Sequence, residues 1–160
     1  MHALAAHTTL VGPERFAAPR EGQTREPLDV RLLEHGTNRG PGAARNDGWR
    51  TARADYVAFT DDDCRPDPHW LRALDEMVAR HPGCAVGGRV ENVHKDGLYS
   101  TASQLLIDFL YEYYNGAGSA GRFFITSNLV FPAREFRAIG GFDTSFPLAA
   151  AEDRDVCDRW

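Results

Sequence analysis

The sequence holds no long run of basic residues, and its formal net charge is −5. A protein that grips a phosphate backbone needs a cationic surface, so nucleic acid is not an expected partner. No apolar run approaches the roughly 20 residues that span a bilayer. The first residues, MHALAAHTTLVGPERF, have neither the charged start nor the apolar stretch of a secretory signal. Cysteine is scarce: Cys64, Cys84 and Cys157 make an odd count without CxxC spacing. Free thiols in a reducing compartment follow, and the cytoplasm is the expected location. Internal repeats and low-complexity segments are lacking as well.

What is present is ordinary for one globular domain: 160 residues, 42% hydrophobic and 26% charged. Residues 1–27 mix Ala, Pro, Gly and charges and predict a poorly ordered segment in which only Thr8 to Val11 resembles a strand. From Leu28 to Leu33 the alternation predicts a short strand. Gly40-Pro41-Gly42 then starts a small-residue helix running to about Arg53. Asp55 to Thr60 reads as a buried strand. Pro66 and Pro68 open a helix carrying Trp70, Leu71, Leu74, Met77 and Val78 at helical spacing, and His81-Pro82-Gly83 stops it. Cys84 to Val90 is a further strand candidate whose glycines suggest close backbone approach.

Leu98 to Tyr114 places Leu98, Ala102, Leu105, Leu106, Phe109, Leu110 and Tyr113 on one helical stripe. Such a stripe predicts a core or interface helix, with a membrane surface or lipid acceptor as the other reading. Its polar face has acids and almost no Lys or Arg, which argues against anionic lipid. After a glycine-rich loop, Phe123 to Phe131 predicts one or two strands and Pro132 to Ile139 a short helix. The closing AAAEDRDVCDRW is an acid-rich helix start. Helices alternating with strands predict an α/β fold with a mostly parallel sheet flanked by helices.

Two acidic groups could carry chemistry. FTDDDCRP ends a predicted strand with Asp61, Asp62 and Asp63. In extended backbone Asp61 and Asp63 point to one side, into the crevice where α/β sheets bind ligands. Carboxylates there suit a hard dication such as Mg or Mn; the bland alternative is an acidic turn capping the following helix. A calcium EF-hand loop is excluded because its glycine and glutamate positions hold Pro66 and Arg72. Arg65 stands where an aspartate-nucleophile phosphotransferase would carry Thr or Val. The second group is Glu152-Asp153, either a general base with a neighbouring acid or simply a helix start, with Asp155 and Arg159 paired one turn apart.

NRGPGAARNDG, ADYVAFTDDDCRPDPHWL, SNLVFPAREFRAIGGFD and EDRDVCDRW, in this order, resemble family 2 glycosyltransferases of the GT-A fold, bacterial enzymes that build polysaccharides and glycolipids. The resemblance covers about Val30 to Trp160. It implies that Asp62 contacts the donor ribose and that Asp63 ligates the divalent metal, with Asp61 supporting nucleotide-sugar binding. Arg39 would approach the nucleotide base, and Arg45 with Asn46 would position the loop or the diphosphate. Asp153 would be the catalytic base with Glu152 beside it. Asn128 and Gly140 to Asp143 would shape the donor-sugar and acceptor pocket.

The implied activity is an inverting, metal-dependent transfer from a nucleotide-diphosphate sugar to a hydroxyl of a saccharide or lipid-linked acceptor. It leaves room for peripheral association with the inner face of the membrane. The family ordinarily starts with a strand ending in a Pro-x-Tyr-Asn-like segment and a second strand ending in an Asp-Asp-Gly-Ser-like turn. Residues 1–29 match neither. The expectation is therefore a poorly ordered or non-family segment over residues 1–27 and a partial GT-A domain over residues 28–160, truncated at both ends and lacking its first β-α-β unit. An inactive remnant that binds only a nucleotide or a partner is the competing function class.

Overall fold

The computed structural model describes residues 30–94, 96–116, 121–146 and 151–160. The strand-like Thr8 to Val11, and the expected poor order of residues 1–27, lie outside them. Helix α1 spans Pro41–Arg50, with proline at its first position, where a missing N–H costs nothing. Strand β1 is Tyr56–Phe59, helix α2 Trp70–Arg80 and strand β2 Val86–Gly87. Helix α3 covers Leu98–Asn115. A single 3-10 turn at Thr126–Asn128 leads into strand β3, Leu129–Pro132, and directly into helix α4, Ala133–Ala138. Helix α5, Glu152–Arg159, follows.

The strands form one sheet in the order β1-β3-β2, and both ladders are antiparallel. The mostly parallel sheet expected from the alternation is thus not what the described strands form. The local part of that expectation has a physical basis: β1 and β2 both oppose β3, so they run in the same direction with α2 connecting them. The later β3 then occupies the slot between them, which alternation along the chain cannot reveal. Of the strand expected over Leu28 to Leu33, residues 30–33 are described, and they make no ladder with another described strand. The candidate strand Cys84 to Val90 contracts to the two residues that reach β3.

The central position of β3 explains its composition. All four of its residues are buried. Leu129 and Phe131 face a cluster with Trp49, Val57, Phe59, Phe136, Phe142 and Val156, which brings α1, α4 and α5 onto one face of the sheet. Val130 faces the other way, onto Leu74, Val78 and Val86, and the i, i+4 pair Leu74/Val78 docks α2 there. Phe136 is the hub of the aromatic side. It is fully buried, stacks on Phe131 at 4.4 Å, and meets Trp49, Phe59 and Phe142 at 5.3, 5.6 and 5.5 Å. Helix α3 buries no residue. Among the described residues no helix is long and apolar enough to cross a membrane.

Truncating Phe136 leaves a cavity bounded by four other rings. Phe136→Ala should cost about 3–5 kcal/mol, read as a lower urea midpoint, while Phe136→Leu should lose distinctly less.

Candidate active site

The end of β1 and the turn that follows it set the geometry of the aspartate triplet. Past Phe59 the chain turns, with the Cys64 N–H donating to the Asp61 carbonyl at 3.1 Å. The turn exposes Asp62 and Asp63 and keeps Asp61 half-buried. Helix α2 does not use them as a cap. Its N-cap is His69 with no side-chain cap, and Asp67 shapes the turn before it, its side chain accepting from the His69 N–H at 2.7 Å and its carbonyl from the Trp70 N–H at 2.9 Å. No side chain of the triplet caps α2. A carboxylate oxygen from each of Asp61 and Asp63 and the Cys64 sulfur lie within 4.8 Å of one another. Oxygen donors at that spacing fit a hard divalent cation. The Cys64 thiol also touches Asp63 at 3.8 Å and interacts with the Ser127 side chain. Burial pushes the thiol above its ordinary pKa, so it is a neutral neighbour in this arrangement.

Arg45 joins the two acidic groups. From α1 its Nη2 donates to Asp61 Oδ1 at 3.0 Å and its Nη1 to Glu152 Oε1 at 3.0 Å; Asp153 Oδ1 lies 4.0 Å away. The guanidinium also sits over the Phe142 ring, 5.6 Å from its centroid. Burial works to lower the Arg45 pKa, but the Asp153, Asp61 and Glu152 carboxylates outweigh it and the net direction is upward. Glu152 is buried and takes its charge partner from Arg45.

Asp153 is oriented from the other side. Thr126 donates its backbone N–H to Oδ2 at 3.1 Å and its hydroxyl to Oδ1 at 2.8 Å. Burial holds the Asp153 carboxyl above its ordinary pKa, against the Thr126 bonds and the Arg45 charge, which pull it down. The residue before this pair, Ala151, has φ +70°, a left-handed conformation that costs a non-glycine residue roughly 1–2 kcal/mol. Such strain persists only where surrounding contacts hold it, and here it aims the first turn of α5. The pairing of Asp155 with Arg159 expected for a plain helix start is present at 2.6 Å, yet Glu152 and Asp153 take no part in it.

Asn46, beside Arg45, serves the frame. Fully buried, it donates to the Phe142 carbonyl at 2.8 Å and accepts from the Phe142 N–H and Trp49 Nε1 at 3.0 and 2.8 Å. These bonds tie α1 to the Gly140 to Asp143 loop. A Cβ on Gly141, whose φ is +74°, would lie 2.6 Å from Asn46 Oδ1, so only glycine lets the loop come this close.

Asn128 is held between elements: Trp70 Nε1 donates to its Oδ1 at 2.8 Å and its Nδ2 donates to the Arg89 carbonyl at 3.1 Å. Arg39 is exposed and pairs with Asp47 at 3.2 Å, rather than with the carboxylate cluster. Two residues that sequence reasoning passed over matter here. Trp70 reads as core in the helical stripe but reaches Asn128. Thr126 lies 27 residues from the aspartate it holds, and nothing in its local sequence signals that.

The site thus brings Asp61, Arg45, Glu152, Asp153 and Thr126 into one connected cluster, with Asp63 and Cys64 at its rim. Residues 14–139 match Glycosyl transferase family 2. Two curated relatives, each described as a pre-mycofactocin glycosyltransferase, come from Mycobacterium tuberculosis strains CDC 1551 / Oshkosh and ATCC 25618 / H37Rv. Each is 29% identical over 145 residues, covering 82% of this chain and 28% of the relative. The chain therefore spans somewhat over a quarter of the length of the curated relatives it matches. A match over most of the chain, on a fold that joins the strand-end aspartates to Glu152 and Asp153, places it in glycosyl transferase family 2.

Proposed function

We propose that the chain folds as an α/β domain of the GT-A type, and that its site transfers a sugar, with inversion, from a nucleotide-diphosphate donor to an acceptor hydroxyl. The observation that carries this reading is the clamped carboxylate of Asp153. Thr126 fixes both of its oxygens and burial raises its proton affinity, two properties that suit a general base. Asp153 takes the acceptor hydroxyl's proton as that oxygen attacks the anomeric carbon. The bond from that carbon to the diphosphate oxygen breaks on the opposite face, and its electron pair leaves with the nucleoside diphosphate. The remaining task of the chain is alignment of the two substrates.

Asp63, with Asp61 supporting, would hold a divalent Mg or Mn, and Asp62 would meet the ribose. A cation held there would supply positive charge to offset the charge of the departing diphosphate. Arg45 keeps Asp61 and Glu152 in place and limits the repulsion between the two acidic groups. Asn128 and the Gly140 to Asp143 loop would border the donor sugar, and Arg39 the base. The acceptor would be a saccharide or a lipid-linked sugar. The free thiols Cys64, Cys84 and Cys157 go with a cytoplasmic setting.

Transfer assays with UDP-, GDP- and dTDP-sugars test the base directly. Asp153→Asn should lower kcat by about 10²- to 10⁴-fold while calorimetry finds donor binding unchanged. Because the folded-state pKa of Asp153 is raised, its ionised form is disfavoured by folding, and that penalty grows as pH rises through the folded pKa. The asparagine variant should accordingly melt no lower than the parent at neutral pH. Normal turnover by it would remove Asp153 from the mechanism. Donor binding without transfer by the parent chain would instead favour the nucleotide-binding remnant.

Thr126→Val removes a hydrogen bond that stabilises the carboxylate. The acidic limb of the pH profile of kcat/KM should move to higher pH, and Thr126→Ser should restore it. An unmoved limb would mean that the hydroxyl does not act on the base.

Donor titration with and without Mn²⁺ addresses the metal. Asp63→Ala should weaken donor binding in the presence of Mn²⁺ and abolish the difference that Mn²⁺ makes. Equal, Mn²⁺-dependent binding by parent and variant would displace Asp63 as a ligand.

A further inference from the structure

Helix α3 has two different faces. The face turned to the protein mixes hydrogen-bonding groups with the half-buried Ile107, Leu110, Tyr111 and Tyr114, and the Tyr111 ring meets Phe123 and Phe124 at 6.0 and 5.9 Å. There Ser100 and Gln104 hold Asn92, Tyr111 donates to the Gly88 carbonyl at 3.2 Å and accepts from the Ile125 N–H at 3.2 Å, and Asn115 donates to the Phe123 carbonyl at 2.7 Å. The face turned outward carries Leu98, Tyr99, Leu105, Leu106, Phe109 and Tyr113, each between 58% and 88% exposed. At helical spacing these residues make a continuous apolar stripe along 18 residues. Phe109 and Tyr113 stack on each other at 6.0 Å, so part of the surface is already ordered. A helix already anchored on its inner side by hydrogen bonds and ring contacts, and still apolar on its outer side, is built to be covered.

We propose that a second copy of this chain covers it, α3 packing on α3 in a two-fold dimer. Charge decides against a bilayer: α3 carries only Asp108 and Glu112 and no Lys or Arg, whereas helices that lie on anionic lipid present basic side chains. Area favours self-association. Fully burying an aromatic side chain removes about 150–250 Å², so the three exposed rings offer on the order of 400 Å² per chain. Two such stripes, with the exposed leucines added, reach the roughly 1,000 Å² expected of a specific interface. The stripe is also self-complementary, as an isologous contact requires. Leu105 and Leu106 stand at its midpoint, where a two-fold axis sets each against its own counterpart whether the helices run parallel or antiparallel.

Sedimentation equilibrium at micromolar concentration tests this on the 160-residue chain, whose mass is 17.8 kDa. The expected mass is twice that, returning to 17.8 kDa in Leu105→Glu and in Phe109→Glu, with far-UV circular dichroism unchanged because both positions are solvent-exposed. Under mild oxidation Leu105→Cys should cross-link to itself well beyond the level given by the native thiols. A parent chain sedimenting as a monomer, a dimer that survives both glutamate substitutions, or a monomer that floats with phosphatidylcholine vesicles would each overturn the proposal.

Discussion

One guanidinium holds the site together. Arg45 projects from α1 between the end of β1 and the start of α5, and without it the two acidic groups would repel each other across a partly buried gap. Its two arms differ in kind. The bond to Glu152 joins side chains only 11% and 6% exposed, and removing one partner of such a buried pair generally costs about 3–5 kcal/mol because the other charge is stranded. The bond to Asp61 ends on a carboxylate 39% exposed, where solvent screens it and its worth is smaller. The Glu152 arm is therefore the structural tie. The Asp61 arm is the one that a ligand at the strand-end aspartates can loosen without breaking the frame.

The core exists to fix that frame. Phe136, Phe131, Phe59, Phe142 and Trp49 interlock beneath the site, and their rings set the relative positions of α1, β1 and α4. Asn46 and Gly141 then bring the Gly140 to Asp143 loop against α1 at a distance no side chain could share. Close packing of this type transmits position faithfully, so the rings hold Arg45, Asp61 and the Glu152-Asp153 pair at fixed separations. In contrast, α3 contributes no buried residue and leans on the body through side-chain hydrogen bonds and the contacts of Tyr111 and Tyr114 with Phe123 and Phe124.

Much was legible in the letters because it is local. Pro41 and the small residues after it mark α1, the mostly apolar run within Asp55 to Thr60 marks β1, and the periodic Leu74 and Val78 mark α2. The triplet at the end of β1 and the Glu152-Asp153 pair stand out for the same reason. The periodicity of α3 was legible too, but a stripe says only that a face will be covered and not by what. Thr126 offered no signal, since a threonine becomes a carboxylate's partner only when a distant segment arrives beside it.

By itself the sequence determined where most helices begin, where β1 runs, and which acids stand at element ends, since backbone preference and side-chain period act over a few residues. Only the tertiary structure decided the polarity of the sheet, because β3 returns from far along the chain to lie between β1 and β2. It also decided that Arg45 meets Glu152 across 107 residues and that Asp153 is held by Thr126. And it left one apolar face of α3 outward, because Tyr111, Tyr114 and Asn115 on the opposite face found ring and hydrogen-bond partners on the segment from Phe123 to Ile125.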